Sequence, residues 1–292
     1  MKIAIASGKG GVGKSMLSSA LAFLFYESGK KVIACDCDVD APNLAIWLGE
    51  KSGQKKLKEF STLKKPKIDL KKCIGCGKCE EVCVFEAIKV KSKKSKLNYY
   101  LCEGCGACQI ICPQKAIELV PVNNGKIYKT KTKYGFPAIS GELQIGESNS
   151  GKVVTETKKE AELIPHEIMI IDSAPGTGCP VIASLSDVDF VILVTEPTPS
   201  ALSDLNKVLK VVKYFGKDYA LVINKWQLNP NFSKKIENKF KQKILGKISF
   251  DKKLYRSIAN FTPIMETELK AKNEIEKIFK KLIKLCQILS LK

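Results

Sequence analysis

Two sets of residues in this chain carry chemistry by their type and spacing. The first is Ser7–Ser15, Ser-Gly-Lys-Gly-Gly-Val-Gly-Lys-Ser, which holds G-x-x-x-x-G-K-S from Gly8 to Ser15. Glycines at Gly8, Gly10, Gly11 and Gly13 let successive backbone N–H groups, that of Val12 among them, turn inward around phosphate oxygens. Lys14 brings a positive charge to β- and γ-phosphates, and the Ser15 hydroxyl is a ligand for Mg²⁺. The second set is eight cysteines. Cys73, Cys76, Cys79 and Cys83 follow C-x₂-C-x₂-C-x₃-C, and Cys102, Cys105, Cys108 and Cys112 repeat the run, followed by Pro113. The flanks repeat as well, Phe85-Glu86-Ala87-Ile88 after one run and Gln114-Lys115-Ala116-Ile117 after the other, which marks an internal duplication. Eight thiolates at this spacing suit iron–sulfur chemistry. A zinc site pairing C-x₂-C with C-x₂-C would leave the extra cysteine of each run unused.

These residues need elements to hold them. Ile3–Ala6 is a short apolar run that reads as a buried strand, and Leu17, Ala20, Leu21, Leu24 and Phe25 recur at helical spacing up to Gly29. Strand, glycine loop and helix is the setting a phosphate loop requires. Lys31–Cys35 is a second strand that delivers Asp36, Asp38 and Asp40 at its carboxyl end, where ligands bind in open α/β sheets. Ile168–Ile171 ends in Asp172, an acidic residue placed to hold Mg²⁺. Phe190–Thr195, Tyr219–Asn224 and Ile244–Phe250 read as further strands, and Ala201–Phe215 as a helix with its stripe at Leu202, Leu205, Leu209 and Val212. Lys51–Lys72 reads as a lysine-rich linker. Val120–Leu163 reads as short strands and loops, with a hairpin at Gly141–Lys152. His166, the one histidine, is expected to be a polar strand-entry residue. The alternation of buried strands and amphipathic helices predicts an α/β fold.

Lys9 makes the loop more specific. K-G-G-x-G-K-[ST] resembles the phosphate loop of the MinD/ParA family, which includes the nitrogenase iron protein and the Mrp-type ATPases. The resemblance implies a nucleotide-dependent homodimer that sandwiches ATP, with Lys9 reaching the partner's nucleotide. It gives Asp38 the role of orienting the attacking water and sensing Mg²⁺, so that Lys9, Lys14 and Asp38 form the catalytic set. Asp172–Gly178 becomes a switch segment whose Gly176 amide meets the γ-phosphate, and Asn224 reads the adenine edge. Phe250-Asp251 and Thr262-Pro263-Ile264 border the base. Trp226-Gln227 follows Lys225 where N-K-x-D would be expected of a GTPase, which favours ATP.

The cysteine runs resemble the bacterial two-cluster ferredoxin. That implies two 4Fe-4S clusters, the fourth cysteine of each run serving the other cluster. One would use Cys73, Cys76, Cys79 and Cys112, and the other Cys102, Cys105, Cys108 and Cys83. Val84 stands where the ferredoxin pattern has proline. The expected architecture is therefore a mostly parallel P-loop sheet with helices on both faces, formed by residues 1–63 and 120–292. A small inserted α+β ferredoxin-like domain would occupy 64–119.

Composition sets limits. The formal net charge is +19, but Arg256 is the only arginine and the lysines are scattered, so nucleic acid is not an expected partner. No apolar run approaches 18 residues and no signal-peptide pattern follows Met1, which points to a cytoplasmic protein. Twelve cysteines in that setting argue for metal or redox chemistry over disulfides. The terminal stripe Ile275, Ile278, Phe279, Leu282, Cys286 and Leu289 is expected to pack on the sheet, a membrane-surface helix being the less favoured reading. Cys179 is expected to be a buried thiol behind Gly178. The rival reading is a ligand shared across a dimer, for which Cys37, next to Asp38, would serve as the second ligand only if the dimer brought it close. The leading functional expectation is ATP hydrolysis coupled to electron transfer towards an unidentified redox partner. A cluster carrier of Mrp type is the alternative, although only Cys286 lies in the last hundred residues. The third is a positioning ATPase with structural clusters.

Overall fold

In the computed structural model, residues 1–50 and 55–289 are described. Residues 51–54, the start of the expected linker, and 290–292 lie outside them. In chain order the elements are β1 (Lys2–Ser7), α1 (Lys14–Glu27), β2 (Val32–Cys37), α2 (Leu44–Trp47), β3 (Lys55–Ile68), α3 (Lys78–Glu81), β4 (Ile88–Lys91), β5 (Lys94–Leu97), α4 (Ala107–Ile111), β6 (Ile117–Lys131) and β7 (Pro137–Leu143). They continue with α5 (Ser150–Glu162), β8 (Ile168–Pro175), α6 (Cys179–Leu185), β9 (Phe190–Thr195), α7 (Pro199–Tyr214), β10 (Asp218–Asn224), α8 (Pro230–Phe240), β11 (Ile244–Ile248), α9 (Lys253–Ala259) and α10 (Lys270–Leu289). The chain divides into two units. One comprises Met1–Leu57, Ile127–Glu142 and Ser150–Lys292, and the other Lys58–Lys126 with Leu143–Asn149.

The first unit is built on parallel strands. β1 pairs with β8 and β9, β2 with β8 and β7, and β10 with β9 and β11, all parallel, in the order β11-β10-β9-β1-β8-β2-β7. Every residue of β2 and β9 is buried. Continuous burial means both faces of the sheet are covered, which is why these strands read as unbroken apolar runs. Helix α1 buries residues around most of its circumference, Met16, Leu17, Ala20, Leu21 and Phe25 among them. Its Phe25 meets Phe279 of α10 edge-on, ring centroids 4.9 Å apart. Ile275, Ile278, Phe279 and Leu282 are all in the core, so this part of the terminal stripe is used in packing, as expected.

The second unit is small and internally duplicated. Residues 58–68 of β3 adjoin β6 in the sheet order, while β4 and β5 form an antiparallel hairpin. Its core is Cys79, Ile88, Cys108 and Ile117, edged by Ile68, Leu97 and Cys112. The copies are offset by twenty-nine residues, as Cys102 follows Cys73. Gly75 and Gly77 have φ of 69° and 85°, and Gly104 and Gly106 have 69° and 83°. The turn ahead of each run also repeats, Asp69 Oδ1 accepting from Lys71 N (2.8 Å) and Asn98 Oδ1 from Tyr100 N (3.2 Å).

Three expectations are corrected. The described part of the expected linker is strand β3, in which Leu63, Lys65 and Pro66 are buried. A lysine-rich strand has no apolar alternation to reveal it. The buried Lys65 is paired with Glu147 at 2.9 Å and lies 3.9 Å from the centroid of the Tyr99 ring. Val120–Leu163 contains a long strand, β6, and the thirteen-residue helix α5, instead of short strands and loops. The buried face of α5 carries Thr157 and Lys158 beside Val153, Val154 and Ala161, which broke the helical period. The Lys158 ammonium donates to the carbonyls of Ala183 and Ser184 (3.0 and 3.4 Å). The expected hairpin at Gly141–Lys152 is the end of β7, a loop and the start of α5.

Helix α10 closes so tightly on β11 that Gly246 has no room for a side chain: an added Cβ would stand 2.3 Å from Ile278 Cγ1. Gly246→Ala should therefore lower stability by about 1–3 kcal/mol, the usual cost of overpacking. Gly10→Ala, where a Cβ meets nothing within 4 Å, should leave it unchanged. Urea denaturation of the two variants checks the contrast, and equal midpoints would contradict this packing.

Candidate functional site

The glycine loop joins the end of β1 to the start of α1. Gly11 and Gly13 have φ of 74° and 98°, a region that residues with a Cβ enter at a cost. A Cβ on Gly13 would lie 2.3 Å from Asn224 Nδ2, and one on Gly8 2.3 Å from the backbone of Asp204. The glycines thus serve both the turn and close approach, while Gly10 and Gly11 are exposed at its mouth. Val12 is buried and its carbonyl accepts from Asn224 Nδ2 at 2.7 Å. Asn224 Oδ1 accepts from Lys225 N at 2.9 Å, so the expected base-reading residue here braces the loop. Gln227, in the position that distinguishes this chain from the GTPase pattern, exchanges two hydrogen bonds with the Phe250 backbone (2.7 and 2.9 Å).

The ammonium of Lys14 acts on the carboxyls of Asp38 and Asp172, and Asp172 in turn acts on Asp36. Lys14 is only 6% exposed. Asp36 and Asp172 are fully buried and stand opposite each other in the β2–β8 register. Burial pushes both carboxyls above the usual carboxylate range. Asp172 repels Asp36 further, while Lys14, Ser15 and Ser18 pull Asp172 back. Asp38 is pushed up to about 6, chiefly by burial, with Lys14 opposing and Asp172 adding to the rise. Asp36 also accepts from the backbone N–H of Leu44 (2.8 Å) and Asp38 (3.1 Å), which fixes the turn carrying Asp38. Ser18 Oγ donates to Asp172 Oδ1 at 2.9 Å. Asp172 Oδ2 is buried, with no hydrogen-bond partner among the described residues. An orphaned carboxylate oxygen near the Ser15 hydroxyl, amid surplus negative charge, is a donor set suited to a hard divalent cation such as Mg²⁺. The roles of Asp36 and Ser18 escaped the sequence reading. Ser18, one helical turn beyond Lys14, was the available signal.

Lys9 forms an ion pair with Glu196 of its own chain. Lys225 joins the same carboxylate at 3.2 Å and donates to the Gly11 carbonyl at 3.0 Å. Burial alone would raise the Glu196 carboxyl, but the two ammoniums hold it below the usual range. Nothing in the sequence marked Glu196. Gly176, with φ of 92°, donates its N–H to the Ser7 carbonyl at 2.9 Å. His166 stands just before β8, its Nδ1 2.6 Å from the Ile164 carbonyl. Cys179 is exposed at the start of α6, which corrects the expected buried thiol: Pro180 follows it and the helix begins here, facing solvent. Cys37 is fully buried in β2 beside Cys35, the sulfurs 3.6 Å apart.

In the second unit the two cysteine runs interleave around two cavities. One is lined by Cys73, Cys76, Cys79 and Cys112. The other is lined by Cys83, Cys102, Cys105 and Cys108. Cys83 Sγ accepts from Ala87 N and Cys112 Sγ from Ala116 N, both at 3.3 Å. Burial raises the Cys102 thiol and pushes Cys108 to about 11, whereas the Ser95 hydroxyl bond lowers Cys73. Among the described residues no three of His, Cys, Asp and Glu approach closely enough to hold a single metal ion.

The raised pKa of Asp38 has a testable sign. Its folded value, about 6, exceeds the unfolded value of about 4. The folded state holds the proton more tightly, so this group lowers stability as pH rises from about 4 through about 6. In nucleotide- and Mg²⁺-free protein, Asp38→Asn should be more stabilising at pH 8 than at pH 4.5. Urea midpoints at the two pH values measure it, and an equal difference at both would contradict the burial argument.

Comparisons with known proteins agree with this loop and sheet. The model of the CobQ/CobB/MinD/ParA nucleotide binding domain matches residues 3–264. An uncharacterized protein of Methanocaldococcus jannaschii is 41% identical over 282 residues, covering 97% of this chain and 96% of that one. The iron-sulfur cluster carrier protein of the same organism is 24% identical over 298 residues, covering 97% and 83%. Among solved structures, the septum site-determining protein MinD of Pyrococcus horikoshii, complexed with Mg-ADP, superposes with a TM-score of 0.62 at 18% identity, over 99% of this chain and 98% of that one. That last likeness is one of fold. The family match spans the loop, both carboxylate-bearing strands and Asn224, and on it the chain belongs to the CobQ/CobB/MinD/ParA nucleotide-binding family, as an ATP-binding P-loop protein of MinD/ParA type.

Proposed function

We propose that the chain is an ATPase carrying two 4Fe-4S clusters, in which ATP-dependent dimerisation is coupled to electron transfer towards a separate redox protein. The observation that carries this reading is the pair of four-thiol cavities, each assembled from both cysteine runs. Cys73, Cys76, Cys79 and Cys112 would hold one cluster and Cys83, Cys102, Cys105 and Cys108 the other, within an inserted ferredoxin-like domain at 64–119. The clusters, when bound, supply one-electron carriers. In the nucleotide half, the N–H groups of Gly8–Gly13 would hold phosphate, Lys14 would offset charge on the transferred group, and Ser15 and Asp172 would hold Mg²⁺. Asp38, kept at the edge of ionisation, would orient water. Gly176 would leave the Ser7 carbonyl to meet the γ-phosphate, a small displacement of the kind that drives switch loops. We place the protein in the cytoplasm, with no nucleic-acid partner and no required membrane contact.

A second reading is that the protein carries clusters to other proteins. The likeness to the iron-sulfur cluster carrier protein favours it. The C-terminal region supplies only Cys286, half-buried in α10 against the core, as a ligand for a shared cluster. Electron transfer therefore remains the leading reading.

Anaerobically purified protein should contain about eight irons per chain. Cys112→Ala should reduce that to about four, and the remaining cluster should be lost on further change of Cys105. Zinc in place of iron would overturn the cluster reading. Lys14→Ala should weaken ATP binding at least about tenfold, the loss of a charge-assisted contact of ~1.5 kcal/mol or more. Isothermal titration reads this independently of metal content.

The Lys9–Glu196 pair bears on dimerisation. If Lys9 acts on the partner's nucleotide, it must first leave Glu196. Glu196→Gln should then raise the ATP-dependent dimer fraction, and Lys9→Ala should abolish it. Sedimentation with a non-hydrolysable ATP analogue measures both. A Lys9→Ala variant that still dimerised would exclude the role in trans.

A further inference from the structure

The two cysteine cavities repeat each other in their backbone and differ in one side chain and in the pairing of one lysine. A Cβ on Gly75 would meet the Lys93 carbonyl at 2.3 Å, and one on Gly104 the Lys64 carbonyl at 2.4 Å. Lys93–Leu97 therefore stands at the first cavity where Lys64–Ile68 stands at the second. The N–H groups of Ala116 and Ala87 reach Cys112 and Cys83 at equal distances. At Ser95 and Pro66 the match ends. Ser95 lines the first cavity, 4% exposed, its Oγ 3.2 Å from Cys79 Sγ and 3.5 Å from Cys73 Sγ. Its counterpart at the second cavity is Pro66, which has no side-chain donor. A metal-bound thiolate carries no proton, so the Ser95 contact then has one sense, with the hydroxyl donating to sulfur.

The second difference is in charge. Lys94 Nζ donates to the carbonyls of Leu70 (2.7 Å) and Cys73 (2.6 Å), and among the described residues no carboxylate forms an ion pair with it. Its counterpart Lys65 donates to the Tyr99 carbonyl at 3.1 Å and is neutralised by Glu147. The first cavity thus has a hydroxyl donor and an uncompensated cation where the second has neither. Both favour extra negative charge on the first set of sulfurs, and the potential of a thiolate-held cluster follows hydrogen bonds to sulfur and local charge.

We propose, on the cluster-binding reading above, that Ser95 makes the cluster site of Cys73, Cys76, Cys79 and Cys112 the electron sink of the pair. Ser95 acts through the two sulfurs it touches, and Lys94 reinforces it. One electron leaves the Cys102 site and arrives at the Cys73 site. No bond is made or broken, and the electron enters from an external one-electron donor.

Potentiometric titration of the anaerobic, iron-loaded protein, followed by electron paramagnetic resonance, tests this. The wild type should show two one-electron couples of unequal midpoint. Ser95→Ala should lower the higher couple alone, by about tenfold in reduced-to-oxidised ratio at fixed potential, or ~59 mV. Ser95→Thr, which keeps the hydroxyl, should hold the wild-type value. Pro66→Ser should raise the lower couple alone, and it remains informative if Ser95→Ala loses iron. Iron-loaded protein in which Ser95→Ala moves neither couple, or in which both variants move the same one, overturns this inference alone. Protein that binds no iron overturns the cluster reading and this inference with it.

Discussion

The nucleotide half depends on a repulsion. Asp36 and Asp172 face each other across adjacent strands, both fully buried, and the buried ammonium of Lys14, which acts on Asp172 and Asp38, is one charge against three carboxyls. Like charges opposite one another in a sheet are unfavourable, and burial enlarges the penalty. The fold tolerates the cluster because backbone N–H groups and hydroxyls take up most of the oxygens. The Asp172 oxygen left over marks where a cation would relieve the strain. The glycine loop, the braces from Asn224 and Lys225, and the turn fixed by Asp36 all keep that small region in register.

Much of this was legible in the sequence, for physical reasons. A parallel strand covered on both faces must be apolar throughout, so β1, β2, β8 and β9 announce themselves, and so do the acidic residues at their ends. A phosphate loop needs glycine where φ is positive, and Gly11 and Gly13 meet that need. The spacing of the cysteine runs is local and therefore legible, whereas the interleaving seen around the two cavities was expected only from the resemblance to the two-cluster ferredoxin.

What escaped the sequence has a common cause: buried polar residues. Strand β3 looked like a linker because its inward positions include Lys65, and helix α5 lost its period because Lys158 and Thr157 lie on its buried face. Each lysine is admitted to the interior by a partner remote in sequence, Glu147 for one and the carbonyls ending α6 for the other. Glu196 was invisible for the same reason, since only folding brings it to Lys9 and Lys225. Cys179 shows the reverse error, an apolar-seeming residue that the start of a helix leaves in solvent.

The Lys65–Glu147 pair also orders events during synthesis. The second unit is discontinuous, and the segment Leu143–Asn149 that supplies Glu147 emerges from the ribosome only after β6 and most of β7 have been made. Until then the strand carrying Lys65 can bury its ammonium only at the full desolvation cost of an unpaired charge. A nascent chain holding both cysteine runs is therefore not yet a finished unit. The same dependence means that residues 58–126 cut out as a contiguous fragment would lack Glu147, the carboxylate that pairs with Lys65.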